Sequence, residues 1–96
     1  MELQEALKKG TIIDVRSYHE FNAGSVVDAK NFPLNELSEH IEELKSFAEP
    51  LVLCCASGNK SGMATNLLIN EGMNCINGGS WLTVNYQMSK LLDVKE

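Results

Sequence analysis

Two adjacent cysteines, Cys54 and Cys55, end the apolar run Leu51 to Cys55 and open onto a short polar segment, Ala56-Ser57-Gly58-Asn59-Lys60-Ser61. This pattern suits a nucleophilic thiol at the mouth of a loop. An ordinary thiol is only about 3% thiolate at neutral pH, whereas helix starts and nearby cations bring its pKa to roughly 3.5–7.5. A fall of two pKa units corresponds to about 2.7 kcal/mol of differential stabilisation. The segment has the means to produce such a fall. Gly58 lacks a Cβ, so the backbone can curl tightly. The start of a following helix presents N–H groups without intrahelical partners, and its dipole favours an anion. Lys60 adds a full positive charge. A thiolate held there is a nucleophile, and the same amides can hold an anionic substrate.

Side chains alternate along a strand, so Cys54 and Cys55 point to opposite faces. Cys55, the last residue before the loop, is the expected centre of the cradle. Cys54 is expected to be buried packing. Cys75 has two readings: core packing, or a resolving thiol for Cys55. Asp14 and Arg16 are expected to be structural, one turning a strand end and the other pairing with a nearby carboxylate such as Glu20. Ser57 and Ser61 can cap the helix or bind substrate. His19 and His40 sit among acids and are expected to be solvated. Trp81 is expected in the core.

The elements that must position these residues follow from hydrophobic spacing. Leu3, Ala6 and Leu7 mark a helix over residues 2–9, closed by Gly10. Residues 11–15 read as a strand, and 17–24 as one or two helical turns. A short strand is expected near Ala29 to Phe32, stopped by Pro33. Leu34, Leu37, Ile41 and Leu44 mark a helix with Asn35 as its N-cap. Leu51 to Cys55 reads as a strand covered on both faces. After the polar loop, Met63, Ala64, Leu67 and Leu68 mark a helix with a Gly72 C-cap. Residues 73–77 form a last strand, and Gly78-Gly79 turns the chain. Ser80 caps a helix carrying Trp81, Val84, Met88 and Leu91. This alternation predicts an α/β fold with a central, mostly parallel sheet and helices on both faces, as a single domain over residues 1–96. In such sheets the functional crevice lies beyond the carboxyl ends of the strands, where the Cys55 loop falls.

Composition narrows the function. The 96 residues carry 13 acidic and 8 basic side chains, a formal charge of −5. That balance argues against nucleic acid as a partner and against an anionic membrane surface. No apolar run approaches the length of a membrane span. The N-terminus lacks a signal-peptide pattern, so a cytoplasmic location is expected. Three cysteines, an odd number, without zinc spacing favour free thiols in a reducing compartment and no metal site.

Taken together, several segments resemble a single-domain rhodanese. The resemblance includes Ile13-Asp14-Val15-Arg16 with Glu20-Phe21 and then Gly24, and Ala29-Lys30-Asn31-Phe32-Pro33-Leu34 resembles the family's GAxNIPL element. Cys55-Ala56-Ser57-Gly58-Asn59-Lys60-Ser61 resembles its CxxGxRS loop. Asn77-Gly78-Gly79-Ser80-Trp81 resembles a shortened NLxGGxxxW element. The resemblance implies a rhodanese-like fold and a sulfurtransferase without cofactors. Cys55 would take sulfane sulfur from thiosulfate or a similar small anionic donor as a persulfide. Cyanide or a thiol would accept it, and a sulfur-relay protein is a possible partner. The residues from Ala56 to Ser61 would bind substrate.

Two other readings stay open. One is a carrier module that relays sulfur without turnover of thiosulfate. The other is a phosphatase or arsenate reductase, whose Cys-x5-Arg loop is one residue longer. Cys55 to Lys60 spans six positions and Cys54 to Lys60 seven, but Lys60 is a point charge and not a bidentate fork. Lys60 in place of arginine, Ser25-Val26 after the glycine, and the compressed Gly79-to-Trp81 spacing depart from the family pattern.

Overall fold

The sheet is built from four short strands, β1 (Thr11–Asp14), β2 (Lys30–Asn31), β3 (Leu51–Cys55) and β4 (Cys75–Ser80), in the order β2-β1-β3-β4 with every pairing parallel. The computed structural model describes residues 2–92, so the ends of the expected domain, residue 1 and residues 93–96, lie outside the described residues. Among the described residues, five helices accompany the strands: α1 (Leu3–Lys9), α2 (Tyr18–Ala23), α3 (Ile41–Lys45), α4 (Asn59–Asn70) and α5 (Trp81–Leu92). A 3₁₀ segment, Leu34–His40, runs into α3.

All five residues of β3 are buried, because helices cover both sides of the sheet. Ile13, Leu51, Leu53 and Cys55 face a layer formed by Leu37, Leu44, Ala64 and Leu68. Ile12, Val52 and Cys54 face the opposite layer, with Ala6, Leu7 and Val84. The period of two along β3 thus divides one apolar run between two cores. The α/β architecture with helices on both faces matches the expectation.

Three local expectations are corrected. The segment after Pro33 does not begin as an α-helix capped by Asn35. Pro33 stands at the cap position, and its carbonyl accepts the Glu36 N–H at 2.9 Å, a bond of 3₁₀ type. Leu34 and Leu37 are three apart, which suits three residues per turn. The Leu34 N–H is held by the Val15 carbonyl at 3.0 Å, so the segment starts against β1.

Gly78-Gly79 is not a turn between strand and helix. Both residues lie within β4, where the register slips: Leu53 pairs with Asn77, and Cys54 with Gly79. This is a bulge, one extra residue opposite β3. A Cβ on Gly78 would lie 2.8 Å from side-chain atoms of both Val52 and Val84. Gly78 therefore lets β4 and α5 close on the sheet.

The helix after Cys55 begins at Asn59, before the expected apolar stripe. Asn59, Lys60 and Ser61 form its first turn rather than loop, and Met63 is exposed rather than packed. The helix ends as expected near Gly72, whose N–H bonds the Ile69 carbonyl at 2.9 Å.

Candidate active site

Cys55 ends β3 at the carboxyl edge of the sheet, and only three residues separate it from α4. Gly58 makes this possible. Its φ of +100° lies in the left-handed region, which a residue with a Cβ enters at a cost. The turn aims its own N–H back at the sulfur. Cys55 Sγ accepts the Gly58 N–H at 3.0 Å and the Ser61 N–H at 3.3 Å. Ser61 Oγ lies 3.3 Å from the same sulfur. The Ser61 donor belongs to the first turn of α4, where backbone N–H groups lack helical partners.

These contacts decide the charge of the thiol. Burial pushes the Cys55 thiol up, but the Ser61 side chain and the backbone N–H groups of Ser61, Gly58 and Ser57 outweigh it and hold the pKa below its ordinary value. The other two cysteines move the opposite way. Burial, aided by the Asp14 charge, pushes Cys54 up to about 12. Burial, aided by Glu49, pushes Cys75 up to about 11. All three thiols are free.

Cys75 does not reach the site. It pairs with Leu51, four residues before Cys55 along a parallel strand. At 3.3 Å per residue the separation is about 13 Å, and a disulfide needs Cα atoms within about 7 Å. Its thiol donates to the Met73 carbonyl at 3.6 Å. The resolving-thiol reading is therefore set aside in favour of core packing.

A cleft of about 180 Å³ lies over Cys55, lined by Arg16, Glu20, Ala56, Ser57, Asn59 and Lys60. Of the residues expected at the site, Gly58 and Ser61 hold the sulfur from beneath, while Ala56, Ser57, Asn59 and Lys60 form the wall. Arg16 joins that wall, but its expected partner is corrected. Its guanidinium pairs with Asp14: Nε lies 3.0 and 3.1 Å from the two carboxylate oxygens and Nη2 lies 2.8 Å from Oδ2. Nη2 also donates to the Gly24 carbonyl at 2.6 Å, and the guanidinium lies 4.6 Å from the centre of the Trp81 ring. Asp14 is wholly buried, and its hydrogen bond keeps Arg16 protonated against the opposing effect of burial. Glu20 instead closes a capping box on α2 with Ser17. Trp81 is half-buried as the plate under Arg16. His19 is exposed as expected, but His40 is half-buried with its ring edge-on to Phe32, 5.3 Å between centroids.

Sequence reasoning missed Asn77 as a site residue. Its Oδ1 accepts the Ser61 hydroxyl at 2.7 Å and the Gly79 N–H at 3.0 Å, and its Nδ2 donates to the Gly58 carbonyl at 3.2 Å. One side chain from β4 thus ties together the loop, the start of α4 and the bulge. The available signal was its position beside the glycine pair on a strand adjacent to β3.

Among the described residues, no group of three His, Cys, Asp or Glu side chains is gathered as a metal site, and no helix is long and apolar enough to cross a membrane. Comparison with known proteins gives a consistent picture. The Rhodanese-like domain family model matches residues 1–81. YqhL, an uncharacterised protein of Bacillus subtilis (strain 168), is 32% identical over 71 residues, covering 74% of this chain and 56% of that protein. The chain thus spans little more than half the length of that relative. A rhodanese-related protein of Thermoplasma volcanium superposes with a TM-score of 0.75 at 29% identity, over 90% of this chain and 85% of that one. The human single-domain sulfurtransferase TSTD1 superposes with a TM-score of 0.68 at 23% identity, over 95% and 88% of the two chains, a likeness of fold.

Proposed function

The chain belongs to the rhodanese-like domain family, and from that membership we propose that it is a sulfurtransferase in which Cys55 carries sulfane sulfur as a persulfide. The observation that carries this reading is the sulfur held by the N–H groups of Gly58 and Ser61. In the first step the Cys55 thiolate attacks the outer sulfur of thiosulfate or a similar anion. The donor's S–S bond breaks, a new S–S bond forms on Cys55, and sulfite leaves with the electron pair. In the second step a thiolate or cyanide attacks the outer sulfur, and Cys55 departs as the thiolate. The inward N–H groups stabilise the anion at both ends of the cycle. Lys60 and Arg16, on the cleft wall, favour an anionic donor. Ala56, Ser57 and Asn59 shape the space in which it lies. The reaction uses no metal or organic cofactor, and it suits a reducing compartment such as the cytoplasm.

Thiosulfate treatment followed by intact-mass measurement tests this. One sulfur, about 32 Da, should be gained by the native protein and removed by cyanide or a reductant. Absence of that gain, or its persistence in Cys55→Ser, overturns the assignment.

A second reading keeps the persulfide and changes the donor. Lys60 stands where the family loop has arginine, and an ammonium grips an oxyanion without the bidentate geometry of a guanidinium. On this reading Cys55 is loaded by a protein donor rather than by free thiosulfate. Slow loading by thiosulfate together with fast loading from a persulfidated protein would select it. Phosphate ester hydrolysis is disfavoured by the same lysine.

A further inference from the structure

The Cys55 cleft is one lobe of a longer groove. A second lobe, about 270 Å³, is lined by Val15, Ser17, Pro33, Leu34 and Asn35, and it shares Glu20 and Lys60 with the first. The two lobes follow the topology. The first lies beyond the carboxyl ends of β1 and β3, and the second beyond those of β1 and β2. The groove therefore crosses the carboxyl edge of three neighbouring strands, where open parallel sheets place their ligands. A donor as small as thiosulfate is accommodated beside Cys55 alone. The larger lobe is not needed to hold it.

We propose that the second lobe is the acceptor subsite, and that it takes the body of a low-molecular-weight aminothiol acid whose carboxylate meets Lys60 and whose ammonium meets Glu20. This rests on the persulfide reading above. The two shared walls carry opposite charges. Glu20 spends one carboxylate oxygen, Oε1, on the Ser17 N–H and hydroxyl, which leaves Oε2 for a ligand. Those capping bonds hold the Glu20 carboxyl below its ordinary value, so it is ionised at neutral pH. Lys60 and Arg16 are the cations on the same cleft. A purely anionic thiol meets Glu20 unfavourably, and a cationic one meets Lys60 unfavourably. Val15, Pro33 and Leu34 supply apolar contact for the carbon skeleton. With the body so placed, the thiolate attacks the outer persulfide sulfur. The enzyme's S–S bond breaks, the acceptor gains an S–S bond, and Cys55 is released as thiolate with no change in total charge.

Two variants test the lobe without disturbing the cradle. Glu20→Gln keeps the capping box, which accepts glutamine, and removes the charge. Asn35→Trp fills the lobe from an exposed position. Asn35→Trp should load sulfur from thiosulfate and discharge it to cyanide, which has no body to bind, as the native protein does; Glu20 also lines the Cys55 cleft, so Glu20→Gln is read by its ratio of cysteine to cyanide discharge. Discharge to cysteine should fall about threefold in Glu20→Gln, in line with an exposed charge contact. It should fall about tenfold in Asn35→Trp, as positioning is lost. Discharge to 3-mercaptopropionate should not fall in Glu20→Gln. Equal slowing with cyanide and cysteine, or no slowing with either, overturns the subsite. Binding is checked without turnover: S-methylcysteine should shift the amide resonances of Leu34 and Asn35 in the native protein, less so in Glu20→Gln. Loss of thiosulfate loading with those shifts retained would remove the sulfurtransferase reading and leave the site. Loading without the shifts would do the reverse.

Discussion

The Ser61 hydroxyl stands between two partners: it donates to Asn77 Oδ1 at 2.7 Å and its oxygen accepts the Cys55 thiol at 3.3 Å. In the neutral thiol, the Cys55 S–H points at Ser61 Oγ, and the hydroxyl proton points on to Asn77. In the thiolate, the sulfur has no proton to give and competes with Asn77 for the hydroxyl. Asn77 therefore acts on the thiol through Ser61, as a positioning residue. Ser61→Ala removes the hydroxyl and keeps the backbone donor. Hydrogen bonds to a charged group contribute about 1.5–3 kcal/mol, and a shared one less, so the Cys55 pKa should rise by about one unit. Asn77→Asp should raise it too, because a carboxylate holds the hydroxyl more tightly and adds like charge. The pH dependence of iodoacetamide alkylation reads both. An unchanged profile in Asn77→Asp would break the proposed link.

The three thiols should separate cleanly in reactivity. Cys55 is held below its ordinary pKa by Ser61 and the loop amides in spite of burial, whereas burial lifts Cys54 to about 12 and Cys75 to about 11. Alkylation of the folded protein near neutral pH should label Cys55 alone, with the other two labelled only after unfolding. Peptide mapping after brief labelling checks this.

The same shifts set the alkaline limit of stability. A thiol whose folded pKa is raised contributes stability that is complete below its unfolded pKa and is lost as pH rises towards the folded value. Above about pH 8.5 the unfolded chain sheds the protons of Cys54 and Cys75 and the folded chain retains them. Each buried thiol then removes about 1.4 kcal/mol of stability per pH unit until its folded pKa is reached. Cys75→Val should flatten that decline between pH 9 and pH 11 in urea titrations, roughly by one thiol's share. Cys55 has the opposite sign: its contribution is present above the unfolded pKa and is lost as pH falls through the lowered folded value.

Asp14 and Arg16 form a buried ion pair and should behave as one unit. Arg16→Met leaves a wholly buried carboxylate without its partner, which costs about 3–5 kcal/mol. The double variant Asp14→Leu, Arg16→Met should recover much of that loss, because no charge is left stranded. Urea unfolding of the single and double variants measures the difference. A single-variant loss below about 1 kcal/mol would mean that the pair is in effect solvated.

These relationships were legible in the sequence to different depths. The alternation of Cys54 and Cys55 needs only the period of a strand, and the structure places them in opposite cores. The covered sheet follows from the unbroken apolar run at β3. The ion pair was open to the same reasoning, since Asp14 and Arg16 are two apart on extended chain and share a side. Glu20 is no free partner for Arg16, because its carboxylate is committed to the Ser17 cap. Asn77 lay beyond reach for a different reason. Its contact with Ser61 depends on the parallel pairing of β3 with β4 and on the register slip at Gly78, and neither is a local property. The 3₁₀ segment is not legible in the spacing, because Leu34, Leu37, Ile41 and Leu44 satisfy either helical period over so short a stretch. Only the hold of Val15 on the Leu34 amide shows where it starts.

Gly58 and Gly72 give the most direct separation of backbone strain from chemistry. Both have positive φ, +100° and +89°, and neither has an atom closer than 3.4 Å to an added Cβ. Alanine at either position should therefore cost a similar amount of stability, about 1–2 kcal/mol for the left-handed conformation. Their effects on the sulfur should differ. Gly58 donates its N–H to Cys55 Sγ at 3.0 Å, and a shift of its backbone towards a more favourable φ turns that donor away. Gly72 lies at the far end of α4 and touches nothing in the cleft. Gly58→Ala should raise the alkylation pKa of Cys55 and slow sulfur loading from thiosulfate by about tenfold, the scale of one lost donor to a charged atom. Gly72→Ala, matched for stability, should leave both unchanged. Equal loading by the two variants would mean that the glycine turn serves folding alone and that the cradle does not depend on its amide.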